Sequence, residues 1–175
     1  MSWGPGRDGA HRPLKNKRNL FFIWPAVVVL FLDQLSKLII TATFELYQSV
    51  PVVRGFFNLV LVRNRGMAFG MMNHRQGRLV FYSLILLTIA AIAVLIYWAA
   101  RQAKEATRIL FGLGLILGGA VGNLVDRVRL GFVIDFLDFF VGRYHWPAFN
   151  LADSAITVGT IWVAIHLIRQ GIHRG

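Results

Sequence analysis

Two aspartates, Asp135 in Gly-Phe-Val-Ile-Asp-Phe and Asp153 in Phe-Asn-Leu-Ala-Asp-Ser, lie in strongly apolar sequence in a chain with only eight carboxylates. Acids in membrane-like surroundings are costly to keep, which marks them for function. Two carboxyls close together in a poorly solvated site resist double ionisation and share one proton. One can then deprotonate a water while the other donates to a carbonyl, which is peptide hydrolysis by an aspartic dyad. That chemistry needs no metal, thiol or serine. Helix capping is the competing account of Asn150 and Asp153, which have N-cap and N3 spacing. It leaves Asp135 unexplained, because a strand-like run has no helix to cap. Asp138, three residues on, would point to the opposite face of a strand.

Other polar residues converge on the same end of the molecule. Asp33 and Lys37 are one helical turn apart, the spacing of an ion pair that neutralises two awkward charges and braces a neighbouring site. Ser36 beside Lys37 raises a serine-lysine pair, but adjacent side chains on a helix diverge. Gly114, Gly118 and Gly122 recur at four-residue intervals and let a neighbouring helix approach closely. Asn123, Asp126 and Arg127 follow. The last two would suit lipid headgroups, but Asn123 beside them points to a polar network.

The elements that must position these residues are membrane spans. The chain has 175 residues, of which 56% are hydrophobic and 15% charged, too apolar for a soluble core of this size. Four spans are expected at about 20–40, 79–99, 109–125 and 150–168. Residues 1–19 read as a disordered basic cytoplasmic tail, 20–168 as one membrane domain and 169–175 as a short cytoplasmic end. An even number of spans puts both termini on one side, with Lys104 in the connection between the second and third. Basic residues also occur in the opposite loops. The first of these loops contains Phe57-Asn-Leu-Val-Leu-Val-Arg63, which alternates like a strand, and the second contains the strand-like run 132–140. A small extracytoplasmic sheet is therefore expected.

The formal charge is +11, and the basic residues flank apolar segments, so anionic lipid headgroups and not nucleic acid are the expected counter-charge. There is no cysteine, which removes disulfides, thiol catalysis and thiolate metal sites. The five histidines lack metal-ligand spacing and read as lone polar side chains, so neither a metal nor a cofactor is expected.

Five motifs together resemble the lipoprotein signal peptidase family, also called signal peptidase II. They are Asp33-Gln-Leu-Ser-Lys37, Asn64-Arg-Gly-Met-Ala-Phe69, Gly118-Gly-Ala-Val-Gly-Asn-Leu-Val-Asp-Arg127, Val133-Ile-Asp-Phe136 and Phe149-Asn-Leu-Ala-Asp153. The resemblance implies an all-α membrane protein, with four transmembrane helices and a small extracytoplasmic β-cradle. It also implies an aspartic endopeptidase of the bacterial inner membrane, with Asp135 and Asp153 as the dyad. Such an enzyme cuts signal peptides from prolipoproteins just before a diacylglyceryl-modified cysteine. Asn64, Gly66, Asn123, Arg127 and Asn150 match positions around the substrate, and Asp33, Lys37 and Asp126 match supporting ones. Arg65 and Met67 depart from the family's usual small residues in the first outer loop.

Two other functions fit parts of the pattern. A proton- or ion-coupled transporter would use buried acids as a relay, but inverted repeats are absent and the acids gather at one face. A lipid-binding or assembly protein would use the glycines and leave both aspartates idle. A monomer acting on lipidated precursors within membrane lipid is the expectation.

Overall fold

The structure is a computed structural model that describes residues 14–66, 74–102 and 106–172. The first thirteen residues of the basic tail, Met67, Phe69, Lys104 and residues 173–175 lie outside the described residues. In chain order the elements are α1 (Leu14–Thr43), β1 (Ser49–Val53), β2 (Phe57–Asn64), α2 (His74–Arg101), α3 (Thr107–Leu130), β3 (Val133–Val141), β4 (Tyr144–His145) and α4 (Leu151–Ile172). All four helices are long and apolar enough to cross a membrane.

Each helix outruns its expected span. The part of the tail expected to be disordered is helical from Leu14. Extending an existing helix adds a hydrogen bond for each residue fixed, so the leucine, lysines and arginine ahead of the apolar run join it. Helix α3 likewise continues past 125, carrying Asp126 and Arg127 on helix before Gly131 closes it in the left-handed conformation (φ 78°).

Helix α3 is the central post. On one side its glycines receive α1: a Cβ at Gly114 would collide with the Phe22 carbonyl, and one at Gly118 would lie 2.6 Å from the Ala26 carbonyl oxygen. On another side Gly112 and Gly119 receive α4 at Val163 and Ala152. Backbones this close leave no room for side chains, the packing that membrane helices use in place of a hydrophobic driving force. An apolar core of Ala99, Ile109, Leu110, Leu113 and Val163 ties α2 and α4 to the start of α3.

The strands form one antiparallel sheet in the order β1-β2-β3-β4. Val62 pairs with Asp135 and Asn64 with Val133, with an irregularity between Leu59 and Val62. Alternation gives the sheet two faces. Leu61, Ile134 and Phe136 pack with Ile40 of α1 into a second core, while Asn64 and Asp135 belong to the other face. Beyond β4 the chain returns alongside β3: Phe149 accepts hydrogen bonds from the Phe136 and Leu137 amides at 3.0 and 2.8 Å and donates one back to Leu137. This return strap fixes where α4 begins, one residue after Asn150 and beside Asp135.

Candidate active site

Helix α4 starts with a reciprocal capping box. Asn150 Oδ1 accepts from the Asp153 amide at 3.0 Å, and Asp153 Oδ2 accepts from the Asn150 amide at 3.3 Å. The capping account of these two residues is therefore correct, and it is incomplete. Asn150 is fully buried, and its Nδ2 also donates to Asp135 Oδ1 at 2.7 Å, to the Ile134 carbonyl at 3.2 Å and to Asn123 Oδ1 at 3.2 Å. Asn123 Nδ2 in turn donates to the free oxygen of Asp153, Oδ1, at 2.7 Å. Two asparagines thus bridge the two acids, which come from a strand and a helix start.

Asp135 is held from its other side by Asn64, whose Nδ2 donates to Oδ2 at 2.8 Å. Asn64 is steadied by the Gly66 amide, which donates to its Oδ1 at 2.8 Å in a turn where Gly66 has φ of +92°, a conformation that side chains resist. Burial, opposed by the Asn64 hydrogen bond and reinforced by the nearby Asp153 charge, pushes the Asp135 carboxyl up from its ordinary 3.8 to about 6. Asp135 also lines a cleft of about 600 Å³, together with Asn64, Gly66, Tyr47 and Pro147.

Behind the acids lies a buried charge cluster. Lys37 Nζ is 2.8 Å from both Asp33 Oδ2 and Asp126 Oδ2, and it donates to Asn123 Oδ1 at 3.1 Å. The expected Asp33–Lys37 pair is therefore one side of a triad. Asp33 Oδ1 accepts from the Ala152 amide at 2.9 Å, placing a carboxylate at the N-terminus of α4, where the helix dipole favours it. Asp126 Oδ2 accepts from the Ile134 amide at 3.2 Å, anchoring β3 one residue from Asp135. A Cβ at Gly122 would lie 2.5 Å from Asp33 Oδ2, so that glycine makes room for the cluster as well as for the helix. Among the described residues no buried side-chain nitrogen or oxygen lacks a partner. A fully satisfied polar network is rigid and holds its members in one geometry.

Nine of the ten expected site residues are joined by these contacts. Arg127 stands apart: its Nη1 donates to the Asn123 carbonyl, at 3.4 Å, and not to either acid. Ser36 donates to the Asp33 carbonyl at 2.8 Å, away from Lys37 Nζ, as the divergence of adjacent helical side chains predicts.

Sequence reasoning missed two features. Gln34 donates to Asp33 Oδ2, Asp126 Oδ1 and the Gly122 carbonyl at 3.0–3.3 Å; its place beside Asp33 was the only signal. His145, expected to be a lone polar side chain, pairs with Asp138 Oδ1 at 2.8 Å, while Asn58 donates to the other oxygen at 3.0 Å. The β3–β4 hairpin brings that histidine back, a placement no local spacing encodes. Among the described residues no group of three acids or histidines is arranged to hold a metal ion.

Four membrane-length helices closing on a rigid acid-amide cluster, with a sheet laid beside it, define a polytopic membrane protein with a preorganised polar site at one end. Residues 25–169 match the family model described as Signal peptidase (SPase) II. The lipoprotein signal peptidase of Geobacter sulfurreducens is 46% identical over 150 residues, covering 85% of this chain and 92% of the relative. That of Desulforapulum autotrophicum is 44% identical over 145 residues, covering 82% and 88%. A solved bacterial membrane enzyme superposes with a TM-score of 0.74 at 30% identity, covering 91% of this chain and 92% of that one. The chain belongs to the signal peptidase II family. It is thus a membrane protease, and its four spans fit a bacterial inner membrane protein.

Proposed function

We propose that this protein is an aspartic endopeptidase that removes signal peptides from prolipoproteins, cutting before the diacylglyceryl-modified cysteine, with Asp135 and Asp153 as its dyad. The observation that carries the reading is the buried Asp135 carboxyl, pushed up to about 6 and bridged to Asp153 through Asn150 and Asn123. In this reading Asp135 holds the shared proton and donates it to the scissile carbonyl, while Asp153 takes a proton from the attacking water. Asn64, Asn150 and Asn123 orient the two carboxyls, and Gly66 holds Asn64. Lys37, Asp33 and Asp126 brace the strand and helix start that carry the acids. Arg127 serves at the substrate side. The protein acts as a monomer without a cofactor, its partners being lipidated precursors and membrane lipid.

The test uses purified protein in detergent and a diacylglyceryl-modified precursor peptide. Asp135→Asn and Asp153→Asn should each reduce turnover by several orders of magnitude, and the double change should add little, because the acids act as a unit. Each variant needs its own melting curve. Asn150 and Asn64 donate to both oxygens of Asp135, so an amide there turns one N–H toward a donor and costs some stability. Substantial cleavage by either folded single variant defeats the dyad. The same precursor without its lipid should be cut far more slowly, since buried acyl chains contribute ~0.8 kcal/mol per methylene. Equal turnover of the two precursors would remove the lipid from the recognition.

A further inference from the structure

Alternation along β2 and β3 divides the sheet's surroundings in two. Asn64 and Asp135 open onto the cleft described above, whereas Leu61, Phe132 and Ile134 open onto a second cleft of about 390 Å³ on the opposite face, and Arg63 and Leu46 line both. The second cleft lies where the sheet meets the ends of α1 and α3. Its walls are apolar, from Leu38, Phe44, Leu61, Leu130 and Phe132. Its inner end is closed by Lys37 and Asp126, which already satisfy each other. Two further cations line it, Arg63 and Arg129, and both are exposed. Arg63 stacks over the Phe132 ring at 5.0 Å, so its charge is held against the apolar wall, and no ion pair engages either arginine among the described residues.

Apolar walls beneath a pair of unneutralised guanidinium groups, at the end of membrane-length helices, suit an amphiphile with acyl chains and an anionic head. Guanidinium is the side chain best matched to a phosphodiester. We infer that this second cleft is a binding site for an anionic phospholipid of the surrounding bilayer, its phosphate held by Arg63 and Arg129 and an acyl chain laid against Leu38 and Phe132. Neither Asp135 nor Asp153 lines this site, Arg129 lines it and not the first cleft, and the inference does not rest on the peptidase reading. A lipid seated there would wedge between the sheet and α1, on the reverse side of the strand that carries Asp135.

Native mass spectrometry of the full chain in detergent, titrated with dioleoyl phosphatidylglycerol and separately with dioleoyl phosphatidylcholine, tests the inference. Phosphatidylglycerol should bind more tightly. Arg129→Gln should weaken it about fivefold and Arg63→Gln with Arg129→Gln by about fivefold again, the size of one basic residue's attraction to anionic lipid. Phosphatidylcholine binding should not change. If Arg63→Gln lowers the melting temperature through loss of its stack on Phe132, the exposed Arg129→Gln decides alone. Equal binding of the two lipids, unchanged phosphatidylglycerol binding in Arg129→Gln, or displacement by millimolar inorganic phosphate would each overturn it. Displacement by the diacylglyceryl-modified precursor would also overturn it, by assigning the cleft to substrate.

Discussion

Asp135 is the residue whose protonation would couple stability to the proposed chemistry. Its folded-state value of about 6 lies above the ordinary 3.8, so the native state binds this proton more tightly than the unfolded chain does. The stability that follows is fully present below about pH 3.8 and is lost as pH rises through about 6, roughly 3 kcal/mol in all. Asp135→Asn removes the titration and keeps the shape. The wild type should therefore lose stability relative to this variant between about pH 4 and pH 7, read from paired melting curves in detergent. Parallel curves across that window would show that the Asp135 carboxyl is not perturbed. Both acids were legible from their apolar surroundings, and the Asn150–Asp153 cap from its spacing. Gln34 and the Asp138–His145 pair were not, because their partners come from other elements of the fold. Lys37 shows the limit well: its tie to Asp33 follows from helical periodicity, while its tie to Asp126 exists only because α1 and α3 pack together.

At the scale of elements, helix-to-helix distance sets the site. Gly114, Gly118 and Gly122 were readable as a close-approach face because they recur every four residues, but the second face of α3, through Gly112 and Gly119, is visible only once α4 is in place. Strand β2 was legible from its alternation and β3 from its apolar run. Strand β1 contains Pro51, and β4 has only two residues, so neither carries enough pattern to stand out. A methyl group on Gly119 would collide with the Ala152 carbonyl, in the first turn of α4 next to Asp153. Gly119→Ala should therefore cost about 1–3 kcal/mol by forcing α3 and α4 apart, and should lower turnover as well. Gly171→Ala, where a Cβ meets nothing within 4 Å, is the matched control and should be neutral or slightly stabilising. If both variants melt like the wild type, the α3–α4 contact is looser than this packing describes.

For the whole molecule, the decisive question is which side of the membrane the acids face. The helices alternate in direction, so the start of α1, the end of α2, the start of α3 and the end of α4 share one side, and the sheet with both acids shares the other. Arg101, Arg108 and Arg169 mark the first side, joined in sequence by Lys15, Lys17 and Arg18. Arg54, Arg65 and Arg143 lie on the second, so counting charges alone separates the sides weakly. Position strengthens the case, because the basic residues before the first span dominate orientation in most proteins of this kind. Both termini are therefore expected in the cytoplasm, with the sheet outside, where an exported precursor would meet the acids. The absence of cysteine makes this directly measurable, since any introduced thiol is the only one. Arg65→Cys and Arg143→Cys, both at exposed positions of the sheet side, should react with a membrane-impermeant maleimide on intact spheroplasts, whereas Arg108→Cys should react only after the membrane is opened. Labelling of the Arg108 position from outside, with the other two protected, would invert the molecule and place the acids where no translocated signal peptide could reach them.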